Sequence, residues 1–170
     1  MNKKVQKALN EQINKEYYSA YLYLSMSNQC VDMNLDGFAN WTRIQYEEEV
    51  SHALKIMDFI NERGGRVKLD ALEKPQFEWD TPLEMFEDVL EHEKFITKSI
   101  NELVELAMEE KDFATNSMLQ WFVDEQVEEE ANASEILEKL EMIGDNNSGI
   151  FMLDSKLANR VFVDETKEEA

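Results

Sequence analysis

GGRVKLDALEKPQFEWDT, Gly64 to Thr81, separates two pairs of long amphipathic segments in a chain of 170 residues. Fully extended, a connection of this length spans roughly 60 Å, against roughly 42 Å for a helix of about 28 residues. It can therefore travel the length of a helical bundle and start a third helix parallel to the second. Loops this long are otherwise uncommon in compact domains. On either side the joints are short. MNLDG, Met33 to Gly37, links the first segment to the second, and a few residues around Lys111 link the third to the fourth. Each pair is therefore expected to be antiparallel.

Local signals set the ends of the segments. The first runs from about Lys3 to Val31 behind Asn2, and Asp36 is expected to cap a second helix that Gly64 and Gly65 end near Arg63. Thr81-Pro82-Leu83-Glu84 is the clearest start: Thr at the cap, Pro where no amide is needed, and Glu in position to reach back. This third helix is expected to end near Glu110, and Asp112 to cap a fourth that runs to Gly144. After GDNNSG a short fifth helix is expected over about 149–162, with Ile150, Leu153, Leu157 and Val161 on one face, then a polar tail from Asp164 to Ala170. The fold class is all-α, a single domain over 1–170: a four-helix bundle over about 3–144 with one long crossover connection and a short C-terminal helix.

Composition narrows the function. Lys and Arg total 17 and Asp and Glu total 37, a net charge of −20. Such a surface repels a phosphate backbone, so nucleic acid is not the expected partner, and cations are the natural guests. No apolar run is long enough for a bilayer, and no apolar block follows the early lysines, so neither a membrane anchor nor a signal peptide is expected. Cys30 is the only cysteine, which fits a reducing cytoplasm.

The apolar stripes point to the site. Steps of three and four residues give Val5, Leu9, Ile13, Glu16, Ala20, Tyr23 and Ser27 on the first helix. On the second they give Phe38, Trp41 or Thr42, Gln45, Glu49, His52, Ile56 and Phe59. The third reads Leu83, Phe86, Leu90, Glu93, Thr97, Ile100, Val104 and Ala107. The fourth reads Thr115, Leu119, Phe122, Gln126, Glu129, Ala133, Ile136, Leu140 and Ile143. Each stripe is interrupted near its middle by carboxylate, amide or imidazole. Helices of similar length packed side by side bring their middles to one level, so Glu16, Glu49, His52, Glu93, Gln126 and Glu129 should converge. Carboxylates clustered there cannot all stay ionised without a counter-charge, and no Arg or Lys lies on these stripes at that level.

A metal is the economical partner. In EEEVSH, Glu47 to His52, Glu49 and His52 stand three apart and project from one helix face. Carboxylates with one imidazole and no thiolate suit iron or manganese, with zinc as a competitor. Their number implies two ions with one carboxylate between them, and Glu49 is best placed to bridge. Such a shell favours the ferric state and hence oxidation of Fe(II) by O2 or H2O2. The residues by themselves leave open a diiron oxidase or peroxidase and a helical scaffold whose core carboxylates are protonated or paired. His92, adjacent to Glu93, points away from it and reads as a rim or surface residue.

NEQINKEYYSAYLYLSM, EEEVSHALKIMDFINERGG and KDFATNSMLQWFVDEQVEEE, with the short closing helix, resemble the prokaryotic non-haem ferritins over about Lys7 to Val161. The resemblance implies a ferritin-like bundle, a homo-oligomeric cage of 24 subunits, and a ferroxidase centre passing Fe(III) to a mineral core. It implies a first iron held by Glu16, Glu49 and His52. A second would be held by Glu49, Glu93 and Glu129, with Gln126 beside the oxygen-binding face. A third, weaker iron position matches Glu48, Glu125 and Glu128 together with Glu129. Tyr23 matches a tyrosine near the diiron centre that can supply an electron, and Trp121 an aromatic beside it. The haem-binding cousins carry a methionine after the bridging glutamate, where this chain has Val50, so no haem is expected. Their second Glu-x-x-His is replaced here by Gln126-x-x-Glu129. A single cysteine cannot supply the paired thiolates of the rubredoxin-bearing relatives.

Overall fold

The computed structural model describes residues 1–167, and among these lie five helices: α1 (Lys3–Asp32), α2 (Asp36–Glu62), α3 (Pro82–Glu109), α4 (Phe113–Ile143) and α5 (Asn147–Leu157). α1 pairs with α2 and α3 with α4, α1 also lies against α3, and α5 crosses the start of α2. α2 and α4 meet through side chains, such as Gln45 and Glu129.

Helix ends follow the capping chemistry with one exception. The side chains of Asn2, Thr81 and Asp112 accept amide hydrogen bonds at the starts of α1, α3 and α4. Glu84 reaches back to the amide of Asp80 rather than that of Thr81. Asp36, expected as a cap, is instead the first residue of α2, and Leu35 before it offers no side-chain bond. The vacancy is filled from elsewhere. Asp154 of α5 places Oδ1 2.8 Å from the amide of Gly37 and 3.0 Å from that of Phe38, so a carboxylate remote in sequence caps α2. Gly37 allows this close approach, since a Cβ there would lie 1.7 Å from the carbonyl oxygen of Asp154.

The crossover lies along α1. Side chains of Gln6, Asn10, Asn14 and Ser25 bond its backbone at Arg66, Lys68, Ala71 and Gln76, pinning an otherwise irregular strand by successive turns of one helix. Trp79 buries its ring and donates to Asp88, closing the connection onto α3.

α5 starts at Asn147, under a cap from Asn146, and stops at Leu157, five residues before the expected end. Leu153 and Leu157 are buried as expected, but Val161 lies beyond the helix and is 76% exposed. The segment after α5 does not fray: Asn40 donates to the carbonyls of Leu157 and Arg160, and Lys55 to that of Thr166. The end of the expected tail, residues 168–170, lies outside the described residues.

Two apolar clusters fill the interior. One gathers Met26, Phe38, Trp41, Phe86, Val89, Ile136 and Leu140. The other gathers Leu9, Ile13, Ile56, Ile60, Ile96, Ile100, Leu119 and Phe122. Along each of the four long helices the stretch between them carries the polar residues that interrupt its apolar stripe.

Candidate metal centre

Glu16, Glu49, His52, Glu93, Gln126 and Glu129 are all buried, none more than 4% exposed. Glu16 projects from α1, Glu49 and His52 from α2, Glu93 from α3, and Gln126 and Glu129 from α4, so both helical pairs contribute. The one wholly buried group among the described residues is Glu16, Glu49 and His52, whose donor atoms lie within 4.8 Å of one another. His52 Nδ1 is 3.6 Å from Glu49 Oε2. That same Oε2 is buried without any hydrogen-bond partner. A carboxylate oxygen withdrawn from water and left unpaired is costly, and a cation between it and the imidazole would satisfy it.

The remaining residues are brought close but differently engaged. Glu93 is held at both oxygens, by the Tyr23 hydroxyl on one and by the Gln126 amide at 3.2 Å on the other. Gln126 also donates to Thr97 Oγ1 at 3.2 Å. Glu129 Oε2 accepts from Gln45 at 2.8 Å, and Glu16 Oε1 from Gln12 at 2.8 Å. Gln12 is fixed in turn by the Ser99 hydroxyl, which Lys15 reaches from outside at 2.5 Å. Glu16, Glu93 and Glu129 thus each have a buried amide or phenol that sets their orientation, as buried ligands require, and Glu49 alone among the four has none.

Burial lifts the carboxyls. It raises Glu16 to about 7, Gln12 and Glu49 partly offsetting this by hydrogen bonding, and raises Glu49 well above the ordinary range, with repulsion from Glu93 and Glu16 adding to it. Glu93 and Glu129 are raised by the same cause. Burial lowers His52 to about 4, so its ring is neutral at physiological pH and available as a donor. Tyr23 is pushed up by burial and by Glu93, which keeps its phenol protonated. The metal-free centre is therefore a proton-holding cluster, and a metal ion must displace those protons.

The outer acidic residues are divided. Glu125 stands 3.9 Å from His52 Nε2, and with Glu129 forms a second group around that ring. Glu125 and Glu128 also group with Glu165 from the segment after α5. Glu48 joins neither group, because Arg160 holds both its oxygens at 3.0 and 2.7 Å.

Sequence reasoning missed Arg160, Glu165 and Gln12. Arg160 and Glu165 follow α5, where no periodicity links them to the bundle. Gln12 precedes Glu16 by one turn, a spacing that could have flagged it. Gln45 stood on the α2 stripe without a role. His92 lies half-buried at the rim, with Nε2 2.8 Å from Ser19 Oγ and rings of Tyr18 and Phe95 beside it. Burial pushes its imidazole down to about 4. Trp121 packs edge-on against His52 at 5.4 Å between ring centres, with Lys55 over its other side.

Comparison with known proteins gives a consistent picture. A family model described as a ferritin-like domain matches residues 6–143. A bacterial non-heme ferritin of Bacteroides fragilis is 46% identical over 160 residues, covering 94% of this chain and 99% of that protein. One from Campylobacter jejuni is 43% identical over 159 residues, covering 94% and 95%. Among solved structures, an open-pore ferritin of Archaeoglobus fulgidus is 56% identical with a TM-score of 0.94, covering 95% of this chain and 99% of that one. A closed form engineered from the same ferritin gives 56% and 0.95, covering 96% and 99%.

Proposed function

The chain belongs to the ferritin family, and from that premise we propose that it stores iron, oxidising Fe(II) within the subunit and keeping Fe(III) as mineral inside a cage of identical subunits. The observation that carries this reading is the orphaned Glu49 Oε2 facing His52 in a buried carboxylate layer.

The first Fe(II) binds Glu16, Glu49 and His52, a reading supported by donor atoms that lie within 4.8 Å of one another. The second binds Glu49, Glu93 and Glu129, and Gln126 borders it from α4. Glu93 keeps a lone pair on each oxygen beside its bonds to Tyr23 and Gln126, so those bonds orient it for the second ion without having to break. A third iron is taken by Glu48, Glu125 and Glu128 on the outer side of the layer. Each Fe(II) gives one electron to O2 or H2O2, and Tyr23, bonded to a ligand carboxylate, is placed to pass an electron and a proton. No haem takes part. The whole chain works as one domain, 24 copies form the cage, and the protein acts in the cytoplasm. Among the described residues no helix is long and apolar enough to cross a membrane.

Aerobic Fe(II) titration of the metal-free protein tests the reading, with ferric absorbance followed and the product sized by sedimentation. Fast oxidation of about two irons per chain, then slow uptake far beyond that in a large particle, is expected, the fast phase being lost in Glu49→Ala and His52→Ala. Oxidation that stops at two or three irons would overturn storage, and no fast phase would overturn the centre.

A further inference from the structure

Arg160 lies just beyond α5, its carbonyl held 3.1 Å from Asn40 Nδ2 and its guanidinium 4.9 Å above the Trp41 ring. From there it reaches into the seam between α2 and α4. One nitrogen donates to both oxygens of Glu48 and the other to Gln45 Oε1. Gln45 is fully buried and has one oxygen and one NH2 group. With its oxygen taken by Arg160, the NH2 group turns to Glu129 Oε2 at 2.8 Å. One guanidinium therefore fixes two acidic residues, Glu48 directly and Glu129 through an amide. The guanidinium keeps its charge at any working pH and its planar fork matches a carboxylate.

We propose that Arg160 is a positioning residue that competes with the incoming cation for Glu48 and so sets the affinity of the third iron position. This rests on the reading of that position given above. A cation that takes Glu48 must displace the guanidinium. Displacement frees the Gln45 oxygen, lets the amide turn, and loosens the hydrogen bond that orients Glu129. Because Glu129 also belongs to the second iron position, filling the third is communicated to the diiron pair through Arg160 and Gln45.

The test is anaerobic Co(II) titration of the assembled metal-free protein, reading the visible d–d absorption of each equivalent. In Arg160→Gln the third equivalent is expected to bind about tenfold tighter, since a charge-assisted pair no longer has to be broken. Glu48→Gln combined with Arg160→Gln should erase that gain, which a loss of general packing would not do. Lys55→Gln removes a cation from the same face, where Lys55 bonds Thr166 rather than Glu48. It should leave the third equivalent within about twofold, because half-buried Lys55 lays its ammonium over the Trp121 ring and bonds the Thr166 carbonyl, so no carboxylate of that position has to be released from it. If Arg160→Gln does not assemble, Arg160→Lys, which keeps the charge and loses the fork, should still tighten the third equivalent by a smaller factor. An unchanged or weaker third equivalent, or an equal gain from Lys55→Gln, overturns the role of Arg160. Two equivalents in every variant would remove the third position itself, and this inference with it.

Discussion

At the scale of single residues the layer is a set of groups whose charge depends on metal. Burial lifts Glu16, Glu48 and Glu125 to about 7 and raises Glu49, Glu93 and Glu129, while it lowers His52 and His92 to about 4. A carboxyl with a raised folded pKa binds more protons folded than unfolded. Its stabilising effect is complete below the unfolded value, about 4.3, and is lost as pH rises through about 7. The histidines act oppositely, costing stability as pH falls below their ordinary 6.5 toward about 4. Six carboxyls outweigh two imidazoles. The metal-free protein is therefore expected to melt at a lower temperature at about pH 7.5 than at about pH 5.5. The metal-loaded protein, which needs the deprotonated set, should show the reverse slope in the same calorimeter. Glu49→Gln removes the carboxylate whose Oε2 is unpaired. At about pH 7.5 the metal-free variant is expected to gain about 1–2 kcal/mol in denaturant unfolding while losing tight Fe(II) binding. Loss of stability in that variant would mean that Glu49 is held by something other than a missing cation. Glu16, Glu49, His52, Glu93 and Glu129 were legible because each interrupts an otherwise apolar stripe, whereas Glu48 and Glu125 lie off the stripes and came only from the resemblance. Arg160 was not, since an arginine after a short helix carries no periodic signal.

At the scale of elements, the joint between α2 and α5 is the most exposed to test. Asp154→Ala deletes the only side-chain cap on α2 among the described residues, a loss of about 1 kcal/mol by general precedent. Gly37→Ala drives a methyl into the α5 backbone and should displace the whole helix. Both variants are expected to keep the four long helices, read by circular dichroism, while α5 becomes accessible to limited proteolysis. If proteolysis of α5 is unchanged in Gly37→Ala, the helix is held by something other than this joint. Element reading from the sequence held unevenly. All seven α1 stripe residues are buried, as are eight of the nine on α4, Ile143 being half-buried. On α3 the expected Leu83, Leu90, Thr97 and Val104 are half-buried, and the buried face turns toward Met85, Val89, Ile96, Ser99 and Leu103. The reason is physical. α3 packs against both α1 and α4, so two apolar flanks satisfy the same three-four stepping, and the sequence pattern followed the α4 flank. On α2 the same ambiguity puts Ile60 inside in place of Phe59.

At the scale of the molecule, the lone subunit leaves apolar side chains uncovered where α5 and its following segment project. Phe151 is 70% exposed, Met152 73% and Val161 76%. A net charge of −20 opposes self-association, and apolar patches of this kind supply a driving force that offsets it. Phe151→Glu together with Met152→Glu is expected to shift sedimentation from a large particle to small oligomers without loss of helix content. An unchanged particle would place the contacts elsewhere. The sequence pattern placed Leu153 and Leu157 on the inner face of a short amphipathic helix, and it failed at Val161 because the helix stops at Leu157 and the helical stepping stops with it.

The crossover also divides the folding of the chain in time. Each helical hairpin is made of contacts close in sequence and can form quickly, whereas bringing the two together awaits closure of the 18-residue connection. Until then the carboxylates of both hairpins stand in water, ionised. Docking is the step at which they must shed their charge, so the acidic layer acts as a kinetic barrier that protons or a divalent ion would lower. The hairpin that leaves the ribosome first already carries Glu16, Glu49 and His52. An ion captured there would give the second hairpin a charge to fold toward, so that loading and folding become parts of one event.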